Sequence, residues 1–152
     1  MSSEIIILLT SMLPITELRA TIPLALIVYE MPVLLAFVLA IIGNLIPVIL
    51  IIWFLNLLIN KFLIHQIYIF NRFFSWLFER TQKKYSKKFE RWRDLALVIL
   101  VAIPLPFTGA WTGALAAFVF GIPIKRAFPL IALGVLIAGA IVTIITLGVI
   151  NL

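Results

Sequence analysis

Four long apolar stretches, 5–29, 31–59, 95–124 and 127–152, divide the chain. The last three contain no charged residue, and the first is interrupted by Glu17 and Arg19. Each is long enough for a helix of ~20 residues, which crosses a hydrocarbon core of about 30 Å. The pattern predicts an all-α integral membrane protein and leaves no length for a separate soluble domain.

Two of the stretches are poor continuous helices. In "LALVILVAIPLPFTGAWTGALAAFVFGIP", Pro104 and Pro106 remove backbone donors and clash with the preceding turn. Thr108, Gly109, Thr112 and Gly113 follow at once, and such a cluster marks a turn. The arms on either side, 95–103 and 114–122, are nine residues each, about 14 Å as helix, or half a bilayer. The first stretch repeats the plan. Residues 5–13 form one arm, Pro14 to Pro23 the break, and residue 24 onward the second arm. Both read as re-entrant hairpins that turn at mid-membrane. Irregular backbone at that depth cannot face lipid, so the two breaks are expected to face each other or a shared cavity.

An internal repeat points the same way. Pro14-Ile15-Thr16 matches Pro106-Phe107-Thr108 at an offset of 92, and Gly43 matches Gly134 at 91. Glu30-Met31-Pro32 matches Gly121-Ile122-Pro123 at 91. Each unit, 4–60 and 95–152, is then a hairpin followed by one transmembrane helix. A hairpin adds no net crossing and a span adds one. The units must lie in opposite orientations, which makes an inverted repeat within a single membrane domain, 1–152.

Charge orients the scheme. Only 12% of the residues are charged and 64% are hydrophobic, with a net charge of +6. Nine of the twelve basic residues lie between Asn60 and Asp94, and Lys125 and Arg126 follow hairpin two. In the inverted arrangement both groups share one side. The positive-inside rule makes it cytoplasmic and puts both termini outside. The linker, 61–94, is amphipathic, with Lys61, His65, Arg72, Ser75, Glu79 and Lys83 near helical spacing and a second stripe of Tyr85, Phe89 and Trp92. It is expected to lie on the cytoplasmic membrane surface, either simply as an amphipathic helix or as a contact for anionic lipid. Nucleic-acid binding is not expected, because nothing else in the chain suits it.

The residues that could carry chemistry sit in the breaks. Charges at mid-membrane are costly and functional by default. Glu17 could take and release a proton there. Arg19 could hold an anionic head group, since a guanidinium fits phosphate and carboxylate geometry. The plainer alternative is a mutual ion pair. Hairpin two offers Thr108, Trp111, Thr112 and the free backbone N–H groups of its second arm, a natural anion site. Thr16 completes the set at the first tip. Ala36, Ala40 and Asn44, and Gly134 with Ala138, read as small-residue packing stripes without a site. The chain has no cysteine and one histidine, His65, so no cofactor or metal is expected. No motif argues for catalysis.

The segments "ITELRATIPLAL" and "PLPFTGAWTGALAAFVFG" resemble the two signatures of the putative small multidrug export protein family. That family is distantly related to the DedA/VTT-type membrane proteins. Ala20 and Phe107 stand where the family pattern often has glycine. The resemblance implies facing hairpins in a prokaryotic plasma membrane, with Glu17 and Arg19 as the acid and base of the first. It also implies movement of a lipid-phosphate or amphiphilic small molecule driven by the proton gradient. The expectation is a small transporter working by alternating access, as a homodimer because 152 residues hardly enclose a path. The alternative is a non-transporting scaffold that binds a partner subunit.

Overall fold

The computed structural model describes residues 2–58, 72, 76, 87–106 and 108–152. Most of the amphipathic linker, including Lys61, His65, Ser75, Glu79, Lys83 and Tyr85, lies outside the described residues, as do Phe107 and the side chain of Phe89. Every regular element described is helical: α1 (Ser3–Ser11), α2 (Glu17–Pro23), α3 (Val33–Leu58), α4 (Lys87–Ala102), α5 (Ala110–Val119) and α6 (Ile124–Ile150). A π-helical turn, Leu24–Val28, extends α2. Among the described residues, only α3 and α6, of 26 and 27 residues, are long and apolar enough to cross a membrane. At 1.5 Å per residue each reaches about 40 Å.

Both interruptions occur where proline removes a donor, and a threonine closes each. After α1, Thr16 Oγ1 donates to the Thr10 carbonyl and Ser11 Oγ to the Leu8 carbonyl at 2.8 Å. After α4, Thr108 Oγ1 donates to the Ile103 carbonyl at 2.6 Å and accepts from the Leu105 N–H at 3.1 Å. Carbonyls that a broken helix leaves open are thereby paired, as they must be away from water.

The breaks are shorter than the sequence predicts: Glu17–Pro23 of the first belong to α2, and Thr112 and Gly113 of the second belong to α5. Pro23 is the last residue of α2, and the helix runs on through it. The register then widens: Tyr29 N–H reaches the Leu24 carbonyl at 3.2 Å and Met31 N–H the Ala25 carbonyl at 3.0 Å. Gly113 lies in the second turn of α5. Its missing Cβ admits Val101 of α4, which a methyl group would overlap. It is a packing glycine.

The two halves share an order of two shorter helical arms followed by a long helix. Each hairpin leaves through a left-handed residue, Glu30 at φ 47° and Gly121 at φ 66°. One residue and a proline later, α3 and α6 begin. Within its own half, Gly43 of α3 faces the Leu8 carbonyl and Ser11 of α1, and Gly134 of α6 faces the Val98 carbonyl and Val101 of α4. Across the halves, α2 packs on α6 and α5 on α3. Gly139 touches Ile41 and Phe37, while Val135 and Ala138 share a cavity with Asn44. Moving up α6 therefore moves down α3, and the two long helices run antiparallel. The core between them is built from Ile7, Ile22, Val48, Leu97, Val101, Ile131 and Val135, all fully buried.

At the far end of hairpin two an ion network ties three segments. Arg126 Nε meets Asp94 Oδ2 at 2.6 Å and its NH1 meets Glu90 Oε2 at 3.4 Å. Arg93 reaches the Phe120 carbonyl at 3.4 Å.

Candidate functional site

The site lies where the two tips meet. Glu17 begins α2 with φ 40°, a left-handed conformation unusual for a non-glycine residue. Such strain costs on the order of 1–3 kcal/mol and is retained where the surroundings over-determine it. The surroundings here are the other hairpin. The Glu17 carboxylate accepts hydrogen bonds from the backbone N–H groups of Trp111 and Ala110, the first turn of α5. It occupies the space that a side chain at residue 109 would need: Gly109 has φ 147°, and a Cβ there would overlap the carboxylate. The helix N-terminus that the sequence offers as an anion site is thus filled by the protein's own anion. Helix dipole and free N–H groups both favour a negative charge at that point.

Two further bonds join the tips. Arg19 donates to the Thr108 carbonyl at 3.3 Å. Trp111 Nε1 donates to the Met12 carbonyl at 3.1 Å. Each hairpin therefore closes open backbone groups of the other. The ion pairs of the described residues join Arg93, Asp94, Glu90 and Arg126. Glu17 and Arg19 are not within ion-pair contact of each other, although the Arg19 charge acts on the Glu17 carboxylate.

A cavity lies against this junction, lined by Glu17, Leu18, Arg19, Asn44, Val101, Pro104, Thr108, Gly109, Ala110, Val135 and Ala138. Its volume, ≈ 10 Å³, is about that of one water site, so the junction is tightly packed. Asn44, Val135 and Ala138 sit near the middle of α3 and α6, which places Glu17 and Arg19 at mid-height of the two long helices.

Of the residues the sequence singled out, Glu17, Arg19, Thr108, Gly109 and Pro104 line the cavity. Trp111 bridges the tips, and Thr16 closes the end of α1. Thr112 is half-buried on α5 away from the cavity, and Pro14 and Pro106 are exposed at the tips. Pro23 and Gly113 lie outside the site.

Asn44 is the residue that sequence reasoning missed, having placed it in a packing stripe. It is 1% exposed, and its Oδ1 has no hydrogen-bond partner. An unpaired buried acceptor costs about 1–3 kcal/mol. The available signal was composition: Asn44 and Asn56 are the only amide side chains in the otherwise apolar sequence of α3. Among the described residues, no three His, Cys, Asp or Glu side chains converge as a metal site would require.

Long apolar helices and a polar junction of broken helices at their mid-height define an all-helical membrane protein. The chain matches the family described as "Putative small multi-drug export protein" over residues 17–141, and it belongs to that family. The matched range runs from Glu17 through both tips to the middle of α6. No curated protein and no solved structure matches the chain.

Proposed function

We propose that the protein is a small secondary transporter that moves an amphiphilic small molecule or lipid-phosphate across the membrane by alternating access, in the manner of a DedA-like flippase. In this reading, each half is a re-entrant hairpin plus a span, and the halves form an inverted repeat in a plasma membrane, with the linker cytoplasmic. The family's description supports export in general terms. One observation carries the reading: the Glu17 carboxylate caps α5, the returning helix of the opposite hairpin, beside an arginine and a small cavity. Polar groups held together at mid-height between antiparallel spans are what a gate between two openings requires.

Protonation of Glu17 removes the charge that holds the α5 N-terminus and frees the tips to part. A proton gradient could drive the cycle through that step. Arg19, always charged, stays to face an anionic head group. A homodimer in contact with anionic lipid is the proposed working form. No catalytic step is proposed.

The test uses purified protein in liposomes with an imposed pH gradient, following flux of octyl phosphate inward and outward. Wild-type flux that depends on the gradient, and its loss in Glu17→Gln and Arg19→Ala at near-native thermal stability, is the expected result. Wild-type flux from either stable variant would overturn the assignment of the site. A folded wild type with no flux would leave the scaffold reading.

A further inference from the structure

The cavity contains one donor-rich group and one acceptor with nothing to accept. The Arg19 guanidinium carries five N–H donors and bonds only the Thr108 carbonyl among the described residues. Across the same cavity, Asn44 Oδ1 is buried and unpaired. The one carboxylate present, Glu17, is already engaged by the backbone of Ala110 and Trp111. The junction thus presents spare donors and an orphan acceptor and offers no free carboxylate. A buried polar group left unpaired calls for an explanation, and the partner of an amide oxygen must be a donor.

We propose that Asn44 is a specificity-determining contact, reading a hydrogen-bond donor on a head group whose anionic oxygen is held by Arg19. This rests on the transport reading of the same site. The head group this pair selects is a singly protonated oxyacid, with X–O⁻ on the guanidinium and X–OH on the amide. A lipophilic cation is disfavoured, because it would meet Arg19 and find no uncommitted acid. A cavity of ≈ 10 Å³ is too small for such a group, so the tips must part before it binds.

The probes are octyl phosphate as its monoanion and octyl sulfate. They share charge and chain, and only the first has an O–H. Binding is measured in nanodiscs with no gradient, at about pH 5, below the second phosphate ionisation near 6. Wild type is expected to prefer octyl phosphate by about tenfold, the upper worth of one net hydrogen bond. Asn44→Leu is expected to bring the ratio to about one while octyl sulfate still binds. Asn44→Ala reads the same ratio should the leucine variant fail to fold. An unchanged ratio in the variants, no preference in wild type, or octyltrimethylammonium binding as tightly as octyl phosphate would each overturn the proposal. Inorganic phosphate as competitor separates the sources: displacement at equal concentration assigns a free oxyacid, and failure to displace assigns a chain-bearing one. Both keep the Asn44 contact. Binding with the expected ratio but no gradient-driven flux would overturn the transport reading and leave Asn44's role standing.

Discussion

Replacing Gly109 with alanine tests the junction directly. The residue has φ 147° and ψ −163°, a region reached by little but glycine, so a side chain there costs roughly 1–3 kcal/mol in backbone strain. Its Cβ would also overlap the Glu17 carboxylate and push it from the N–H groups of Ala110 and Trp111. Hydrogen bonds to charged groups contribute about 1.5–3 kcal/mol each. At the lower value for each, two of them add about 3, and Gly109→Ala should cost roughly 4–6 kcal/mol. Glu17→Ala loses the same bonds without the strain, or about 3 kcal/mol. The double variant should cost no more than Gly109→Ala alone, since the bonds can be lost only once. A double-mutant cycle on unfolding free energies in mixed micelles should therefore show coupling of about 3 kcal/mol. Additivity within about 0.5 kcal/mol would refute the contact and leave backbone strain as the whole effect. Gly148→Ala, with nothing near the added methyl, is the neutral control.

Glu30→Gly should raise stability by about 1 kcal/mol, because Glu30 holds the left-handed turn that Gly121 holds in the other half; thermal unfolding at fixed detergent checks it. Gly113→Ala should destabilise by roughly 1–3 kcal/mol through overlap with Val101, and Val101→Ala in the same chain should restore much of the loss. Asp94→Asn should lower stability by about 1–3 kcal/mol, with the difference from wild type shrinking at high salt because Arg126 is 44% exposed in its side chain. Single cysteines at Ser3, Ser86 and Asn151 should label from opposite sides of intact vesicles, with Ser86 alone on the cytoplasmic face. Labelling of Ser3 and Ser86 from one side would end the inverted topology. Gradient-driven flux should depend on pH in wild type and be absent at every pH in Glu17→Gln.

Much of the fold follows from short-range chemistry and was legible in the chain. Apolar runs without charge become α3 and α6. Pro14 and Pro104 end helices because a missing N–H acts on the turn beside it, and Thr16 and Thr108 close those ends through bonds five or six residues long. The matched glycines, Gly43 and Gly134, receive the first arm of their own half. The same local logic drew both breaks too long. Pro23 looked like a breaker, yet a π-helical turn carries the helix past it. Gly113 looked like part of a turn, yet it is helix, and its role is set by Val101 from a different element.

The sequence by itself determined that Glu17 and Arg19 would stand at a break in an apolar segment, since charge and proline placement are properties of neighbours along the chain. Only the tertiary structure decided what they meet. The partners of Glu17 are backbone N–H groups more than ninety residues away, and every non-proline residue carries such a group, so no side-chain pattern marks them. Asn44 shows the same limit. Its spacing with Ala36 and Ala40 says that this face is packed, and burial bears that out. That its oxygen lacks a donor depends on which atoms α2, α4, α5 and α6 bring to one cavity, and a hydrogen bond left unmade is a property of the packed whole.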